Sequence, residues 1–338
     1  MKKYKIVFSV PVHEKYEVVI DLIMNIFHFN PDCAIVLHYS KGFRAAESTI
    51  SFDAFGQIIK KIGDVYVNPE SVRTGTFDII QAHIKNFKYV ESLLDFEFVA
   101  LTASNELFIK SGLYDHIHPY DCGVTYIDID TESKWEIADL AKQDPVLNDY
   151  VRSQGWTKIM GSHVEGSFYR KEVMSEIVDR IDSFFDYNII EISYPRDEVF
   201  YPTMLWNISQ DKKLAVLNPG LYCWTPWNKT CYQWDILVKD IRRLKHDENV
   251  YSVKRIPRVQ GYYTRDYIRQ EGGYLSFEQE LFDVPKGNMN VLSLWFKDSF
   301  HAVVAACRGY INLFKGFLLR NRFIFRLNKI KNRILKRG

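Results

Sequence analysis

Short apolar runs alternate with longer helix-like segments over the first hundred residues, and this alternation restricts the possible folds more than any other feature. Strands that alternate with helices of this length predict an α/β fold with a doubly wound, mostly parallel sheet and helices on both faces. The predicted strands are residues 5–11, 33–39, 64–67 and 96–101, and the predicted helices are residues 15–27 and 76–94.

Sheets of this kind bind ligands at the carboxyl ends of their strands, where the loops converge. His13, His38 and residues 104–106 lie at or just after the ends of predicted strands, so topology alone makes them candidates for a binding site. The chain contains neither a GxGxxG nor a GxxxxGK[ST] loop, which argues against a dinucleotide enzyme and a P-loop NTPase.

The composition is that of a globular protein. Of the 338 residues, 47% are hydrophobic and 25% are charged, which excludes a disordered chain and allows one large domain or two modest ones. The five cysteines form no CxxC pair, which argues against a disulfide scaffold or zinc ribbon and favours a reducing compartment. Because the sequence shows no signal peptide and no apolar span of roughly 18 residues, we expect a cytoplasmic protein.

Positive charge is concentrated at the C-terminal end. The formal net charge is +2, but residues 301–338 contain ten Lys and Arg and no acid, so the other 300 residues carry −8. Apolar residues in this tail recur at steps of three and four, which predicts one or more basic amphipathic helices. We expect the tail to bind an anionic membrane surface, which would make the protein peripheral on the inner face. The alternative is a helix packed on the body. Without a nucleic-acid fold signature, we predict no nucleic-acid partner.

Six segments, the first of them beginning with the opening strand and His13, occur in a characteristic order and spacing over roughly residues 5–258. The first segment also includes VLHYSK (36–41), and the other five are NPESVRTGTFDIIQA (68–82), VALTASNELFIKSGL (99–113), EGSFYRKEVMSEIV (165–178), PRDEVFYPTMLWN (195–207) and the stretch from LYCW to RIPR (221–258). Together they resemble the core-2/I-branching β-1,6-N-acetylglucosaminyltransferases and the related peptide O-xylosyltransferases. Ser40 and Glu106 stand where that family usually has Asp.

The resemblance implies a GT-A fold and an inverting transfer that needs no metal and no cofactor besides the UDP-sugar co-substrate. It implies UDP-GlcNAc as the first expectation for the donor, with xylose or another hexose as alternatives. We expect the acceptor to be a glycan or lipid-linked glycan in surface polysaccharide assembly. The expected organisation is a glycosyltransferase domain over residues 1–260, an irregular connecting segment over 261–300, and the basic tail over 301–338.

One carboxylate corresponds to the catalytic base that the resemblance implies. An inverting transfer needs a general base that takes the proton of the acceptor hydroxyl. Glu198 matches the Glu of the family's Pro-Asp-Glu turn, and we expect a partly dry setting that raises its pKa. The alternative is that Asp197 and Glu198 only cap a helix that starts near residue 199.

Cations and sugar contacts are implied in the same way. A metal-free transfer must offset the charge of the leaving diphosphate with side chains, and Lys254 and Arg255 match the family's diphosphate-binding pair. Lys229 is a further candidate cation. The expected donor or acceptor sugar contacts are His13, Glu106, Glu165 and Trp224; Trp206 and Trp227 also suit stacking on pyranose faces.

A literal Asp-x-Asp motif, Asp128-Ile-Asp130, supports a different interpretation. On a β-strand both carboxylates would point to one face, as in transferases that hold Mn²⁺ or Mg²⁺ on the diphosphate. A metal-dependent transferase is therefore one alternative, and a non-catalytic carbohydrate-binding protein docked to membranes is another.

Overall fold

The computed structural model describes residues 2–40, 48–72, 74, 79–131, 135–184, 194–225, 235–257 and 262–275. Lys229, Trp227 and the basic tail over 301–338 lie outside the described residues, as does most of the predicted connecting segment. The predictions made for them stay predictions.

The described part of the chain contains strands and helices in alternation. The strands are β1 (Lys3–Val12), β2 (Cys33–Tyr39), β3 (Val65–Val67), β4 (Asp95–Leu101), β5 (Glu106–Phe108), β6 (Cys122–Gly123), β7 (Ile127–Asp128), β8 (Met160–Gly161), β9 (Phe168–Arg170), β10 (Val216–Leu217), β11 (Cys223–Trp224) and β12 (Ser252–Lys254). The helices are α1 (Tyr16–Phe29), α2 (Phe52–Ile62), α3 (Ile80–Glu91), α4 (Leu113–Ile117), α5 (Glu136–Lys142), α6 (Pro145–Ser153), α7 (Lys171–Phe184), α8 (Asp197–Lys212), α9 (Val238–Leu244) and α10 (Tyr263–Gly272).

The largest sheet has seven strands in the order β10-β6-β9-β4-β1-β2-β3. Strand β1 pairs in parallel with β2 and β4, β2 with β3, and β6 with β10, whereas β9 runs antiparallel to β4 and β6. The chain winds from β1 through β2 to β3 and then returns to β4 on the other side of β1. The carboxyl ends of β1 and β4 therefore flank the point at which the winding reverses, where ligands bind in open α/β sheets.

Alternate residues of the central strands belong to two apolar cores, one on each face of the sheet. Phe8 and Ile35 pack with α1 and α2, whereas their neighbours Val7 and Val36 pack with α3, α7 and α8. Successive side chains of a strand point to opposite faces, so a sheet covered on both sides needs apolar residues at nearly every position. The apolar runs of β1 and β2 meet that need. The predicted α/β class, with a mostly parallel sheet and helices on both faces, is confirmed.

Two small sheets lie beside the large one. Strand β12 pairs in parallel with β11 and antiparallel with β5, which sets Lys254 opposite Glu106. Strands β7 and β8 form an antiparallel pair, and β8 is tied to α8 by hydrogen bonds between the Met160 backbone and Thr203 Oγ1 at 3.0 and 3.1 Å. These additions bring residues 160–165 and 250–256 to the helices and loops around the carboxyl edge.

Helices α2 and α10 are among those that the sequence-based expectations did not include. Helix α2 was not predicted, although Ser51 caps it by accepting a hydrogen bond from Ala54 N at 3.1 Å. Helix α10 lies where an irregular segment was expected over 261–300. Its sequence is polar, and it is held by Arg265 and Arg269, which both pair at 2.5 Å with the buried Asp21 of α1. Among the described helices, none combines the length and the apolar character required to cross a bilayer.

Candidate functional site

Loops at the carboxyl ends of β1 and β2 are tied together by polar contacts. Ser40, which follows β2, donates from Oγ to Thr74 O at 2.9 Å and accepts from Thr74 N at 2.9 Å. His13, which follows β1, is half-buried, and its Nε2 lies 3.4 Å from Thr74 Oγ1. The structure therefore places the predicted site residue His13 at the expected edge of the sheet, where it contacts the same threonine as Ser40.

The first turn of α8 presents the predicted base. Glu198 Oε1 lies 3.1 Å from His163 Nδ1, and the Glu198 carbonyl accepts from Ser162 N at 2.8 Å. The side chains are 14% and 22% exposed, so solvent or a ligand reaches both. A carboxylate in the first helical turn is also stabilised by the helix dipole. The arrangement is a carboxylate and an imidazole side by side at a partly exposed helix N-terminus.

The alternative interpretation, in which Asp197 caps this helix, is not what the structure shows. Arg196 occupies the N-cap position without a side-chain cap, and Asp197 is the first residue of the helix proper. The Asp197 side chain turns inwards, and no described residue provides a hydrogen-bond partner for its Oδ1. Burial, and next the charge of Glu198, raises the pKa of Asp197 well above its usual value. The neutral form of Asp197 is therefore favoured beside Glu198.

A buried ion pair anchors the start of α8. Arg196 Nε donates to Asp144 Oδ2 at 2.9 Å, and the Tyr194 hydroxyl donates to the same oxygen at 2.7 Å. Asp144 also caps α6 by accepting from Val146 N at 2.9 Å. Breaking a buried ion pair is costly because it leaves an uncompensated charge. These contacts therefore hold the turn that carries Glu198 in place.

Glu165 and Lys254 form an ion pair between the loop that precedes β9 and the end of β12, and their side chains are 15% and 22% exposed. Burial alone would raise the pKa of Glu165, but the charge of Lys254 and its hydrogen bond lower it to about 2. Burial would lower the pKa of Lys254, and the charge of Glu165 raises it instead. Both groups are therefore ionised, and the predicted diphosphate cation Lys254 already has an internal partner.

Arg255 has a left-handed backbone, with φ of 68°. This conformation costs roughly 1–2 kcal/mol for a residue with a Cβ. It is held by neighbours: Ile236 N donates to Arg255 O at 3.3 Å, and Ile256 N donates to Asn105 O at 3.4 Å. Strain of this kind at a non-glycine residue concentrates at functional sites.

Glu106 lies in the interior, in contrast to the sugar-facing position that we expected. Its side chain is fully buried; Ala103 N donates to Oε2 at 3.1 Å and Ser252 Oγ donates to Oε1 at 2.5 Å. Burial raises the pKa of Glu106 to about 7. Both oxygens of this carboxyl accept hydrogen bonds inside the protein, so Glu106 links the loop after β4 to strand β12.

The Asp-x-Asp motif is not arranged as one strand face. Strand β7 ends at Asp128, and Asp130 lies in the following turn, where its N–H donates to Asp128 Oδ1 at 3.0 Å. Each carboxylate has its own cation: Lys158 lies 2.9 Å from Asp128, and Lys142 lies 3.5 Å from Asp130. Within the described ranges, no group of three or more His, Cys, Asp and Glu is placed to hold a metal ion.

Trp224 is half-buried against the core of α1 and α2, and the guanidinium of Arg243 lies 5.7 Å from its ring centroid.

The sequence interpretation missed His83 on α3. This buried imidazole lies 2.9 Å through Nδ1 from Ser9 Oγ, and burial lowers its pKa to about 3. The charge of Glu165 raises this pKa and the charge of Lys254 lowers it, but burial has the larger effect. No local motif marks it, because its partners come from β1 and from distant loops.

Comparison with known proteins places the chain in no family: no protein-family model matches it, and no curated protein matches it. Solved structures that are similar over most of its length include two glycosyltransferases. One is the apo-form glycosyltransferase GlyE of Streptococcus pneumoniae TIGR4, at 9% identity and a TM-score of 0.36, covering 80% of this chain and 60% of that one. The other is the galactosyltransferase LgtC in complex with donor and acceptor sugar analogues, at 9% identity and a TM-score of 0.37, covering 82% and 99%. Neither likeness assigns a family or an activity to this chain.

Proposed function

We propose that the protein is an inverting glycosyltransferase with a GT-A-like fold that moves a sugar from a UDP-sugar to a glycan hydroxyl without a divalent metal. The observation that carries this proposal is the pairing of Glu198 with His163 at a partly exposed helix N-terminus. A carboxylate that is held by an imidazole and remains accessible can accept a proton from a bound hydroxyl.

In the proposed reaction, Glu198 takes the proton of the acceptor hydroxyl while the oxygen attacks the anomeric carbon of the donor. A new glycosidic bond forms on the opposite face as the bond to the diphosphate breaks, and UDP leaves with the electron pair. Arg255 provides positive charge for the leaving group, as bidentate guanidinium contacts do for phosphates. Lys254 contributes with Glu165 as its counter-ion, so its share of the charge is smaller than the sequence suggested.

The finer parts of the proposal come from the resemblance and the tail. They are GlcNAc as the first expectation for the transferred sugar, a glycan or lipid-linked acceptor, and a role in surface polysaccharide assembly. Peripheral binding to the inner face of the membrane is proposed for the basic residues 301–338.

The test is a transfer assay with UDP-, GDP- and CMP-sugars and a panel of glycan acceptors, with and without EDTA. The expected result is transfer from a UDP-sugar with inverted anomeric configuration that EDTA leaves unchanged. Loss of activity in EDTA with retained configuration would select a metal-dependent transferase instead. A chain that binds glycans but neither transfers nor hydrolyses any donor would be a carbohydrate-binding protein.

A further inference from the structure

Trp206 on α8 differs from the other tryptophans that the structure describes. Trp135, Trp156 and Trp224 are half-buried and pack against one of the two apolar cores. Trp206 is also half-buried, but it is packed against neither core within the described part of the chain. A large aromatic ring on the surface of a helix, outside the core that would explain it, points to a role in binding.

The ring of Trp206 is surrounded by groups that suit a sugar. The Tyr126 ring meets it edge to face, at 5.1 Å between centroids, and Lys158 Nζ lies 5.4 Å from its centroid. Lys158 is 48% exposed and pairs with Asp128 at 2.9 Å. We call Tyr126, Asp128, Lys158 and Trp206 the Trp206 platform. It combines aromatic surface with a charged donor and a charged acceptor of hydrogen bonds.

A continuous segment joins this platform to Glu198. Residues 158–163 run along α8, with hydrogen bonds from Asn207 Nδ2 to Lys158 O at 3.4 Å and from Ser162 N to Glu198 O at 2.8 Å. His163, at the end of the segment, contacts Glu198. Trp206 lies eight positions after Glu198 on α8, which is a rise of about 12 Å along the helix axis. That distance fits a short oligosaccharide lying along α8.

We propose that the Trp206 platform binds a pyranose unit of the acceptor glycan beyond the sugar that receives the transfer. C–H groups on a pyranose face pack on aromatic rings, while its hydroxyls bond to charged and polar neighbours. The substrate class is therefore an oligosaccharide acceptor rather than a free monosaccharide. This inference rests on the proposed function, because it takes Glu198 as the reacting end.

The experiment compares Trp206→Ala with Trp156→Ala in the full chain, with unfolding temperatures measured for both. Trp156 is the matched control, since its ring also meets a tyrosine, Tyr150 at 5.6 Å, and a cation, Arg180 at 5.5 Å. The probes are glucose, galactose and GlcNAc oligomers of one to four units. For an accepted oligomer series, we expect Trp206→Ala to lower kcat/KM about tenfold for the tetramer and much less for the monosaccharide. Trp206→Phe should restore most of the loss, and Trp156→Ala should show no dependence on length.

Equal losses on the monosaccharide and the tetramer, or the same length dependence in Trp156→Ala, would overturn the proposal. Direct binding of the same oligomers without donor separates this inference from the proposed function. If no transfer occurs but the tetramer binds and Trp206→Ala weakens that binding, glycan binding by the Trp206 platform is supported and the transferase proposal fails. If no oligomer binds the wild-type chain, the platform proposal fails.

Discussion

Glu106 and Glu165 are two carboxyls near Lys254 that experience opposite environments. Burial dominates at Glu106 and raises its pKa to about 7, whereas the ion pair with Lys254 dominates at Glu165 and lowers its pKa to about 2. The difference follows from geometry, since Glu165 contacts the ammonium directly and Glu106 accepts from a hydroxyl and an amide. Sequence reasoning named both residues but could not assign these states, because the partners lie up to 146 residues away.

Replacement of Glu106 by Gln should change how stability depends on pH. Because the pKa of Glu106 is higher in the folded state than in the unfolded state, its carboxyl stabilises the folded protein at pH values below the unfolded pKa of about 4.5. This stabilisation is lost as the pH rises through about 7. Relative to wild type, the free energy of unfolding of Glu106→Gln should therefore rise by roughly 3 kcal/mol between these limits. Urea unfolding at several pH values measures it. Glu271→Gln, on the surface, is the control, and a difference that does not vary with pH would contradict the assignment.

Arg255 allows the backbone and side-chain contributions to be separated. Arg255→Gly and Arg255→Ala both remove the guanidinium, but only glycine accepts a φ of 68° without strain. We expect the Gly variant to be more stable than the Ala variant by about 1 kcal/mol. Both should lose affinity for UDP to a similar extent. Equal stability of the two variants by urea unfolding would show that no strain is stored there, and unchanged UDP binding would remove Arg255 from the donor site.

At the level of elements, the central strands were predictable and several helices were not. Strand β2 has the predicted bounds of residues 33–39, because a parallel strand buried on both faces is a continuous apolar run. Helix α10 could not be predicted, since its position depends on ion pairs with Asp21, more than 240 residues away. The contact between Glu198 and His163 could not be predicted from the sequence either, because it forms only when residues 158–163 pack along α8.

The ion cluster that joins α1 to α10 should contribute strongly to stability. Asp21 and Arg265 are essentially fully buried, so Asp21→Asn removes the carboxylate that pairs with Arg265. Arg269 also loses this carboxylate but keeps its ion pair with Asp266. We expect a loss of about 3–5 kcal/mol in the free energy of unfolding, measured with urea. The control is Lys245→Ala, which breaks the exposed pair with Glu271 between α9 and α10 and should cost less than about 1 kcal/mol. Similar losses in both variants would contradict the account of the buried cluster.

At the level of the whole molecule, the sheet order and the charge distribution along the sequence lead to two separate predictions. The reversal of winding between β1 and β4 sets the position of the candidate site, and the alternation of strands and helices in the sequence was sufficient to predict that edge. The ten cations of residues 301–338 stand against a charge of −8 on the rest of the chain. That separation of charge along the sequence is the basis of the membrane proposal.

The membrane proposal is tested by charge removal in the full chain. Replacement of Lys329, Lys331, Arg333, Lys336 and Arg337 by Gln should weaken binding to vesicles that contain anionic lipid at least a hundredfold, at about 1 kcal/mol for each cation near the surface. Co-sedimentation with anionic and with neutral vesicles measures it, and added salt should have a similar effect on wild type. Unchanged binding to anionic vesicles would remove the tail from the proposed contact.

The most direct test of the central claim is the transfer rate of Glu198→Gln, with UDP-sugar affinity measured on the same preparation. The amide keeps the size of the side chain and a contact with His163 but cannot accept the proton. The account predicts that transfer falls by about 10²–10⁴-fold while donor affinity stays within about twofold of wild type. Full transfer activity in this variant would contradict the assignment of Glu198 as the base.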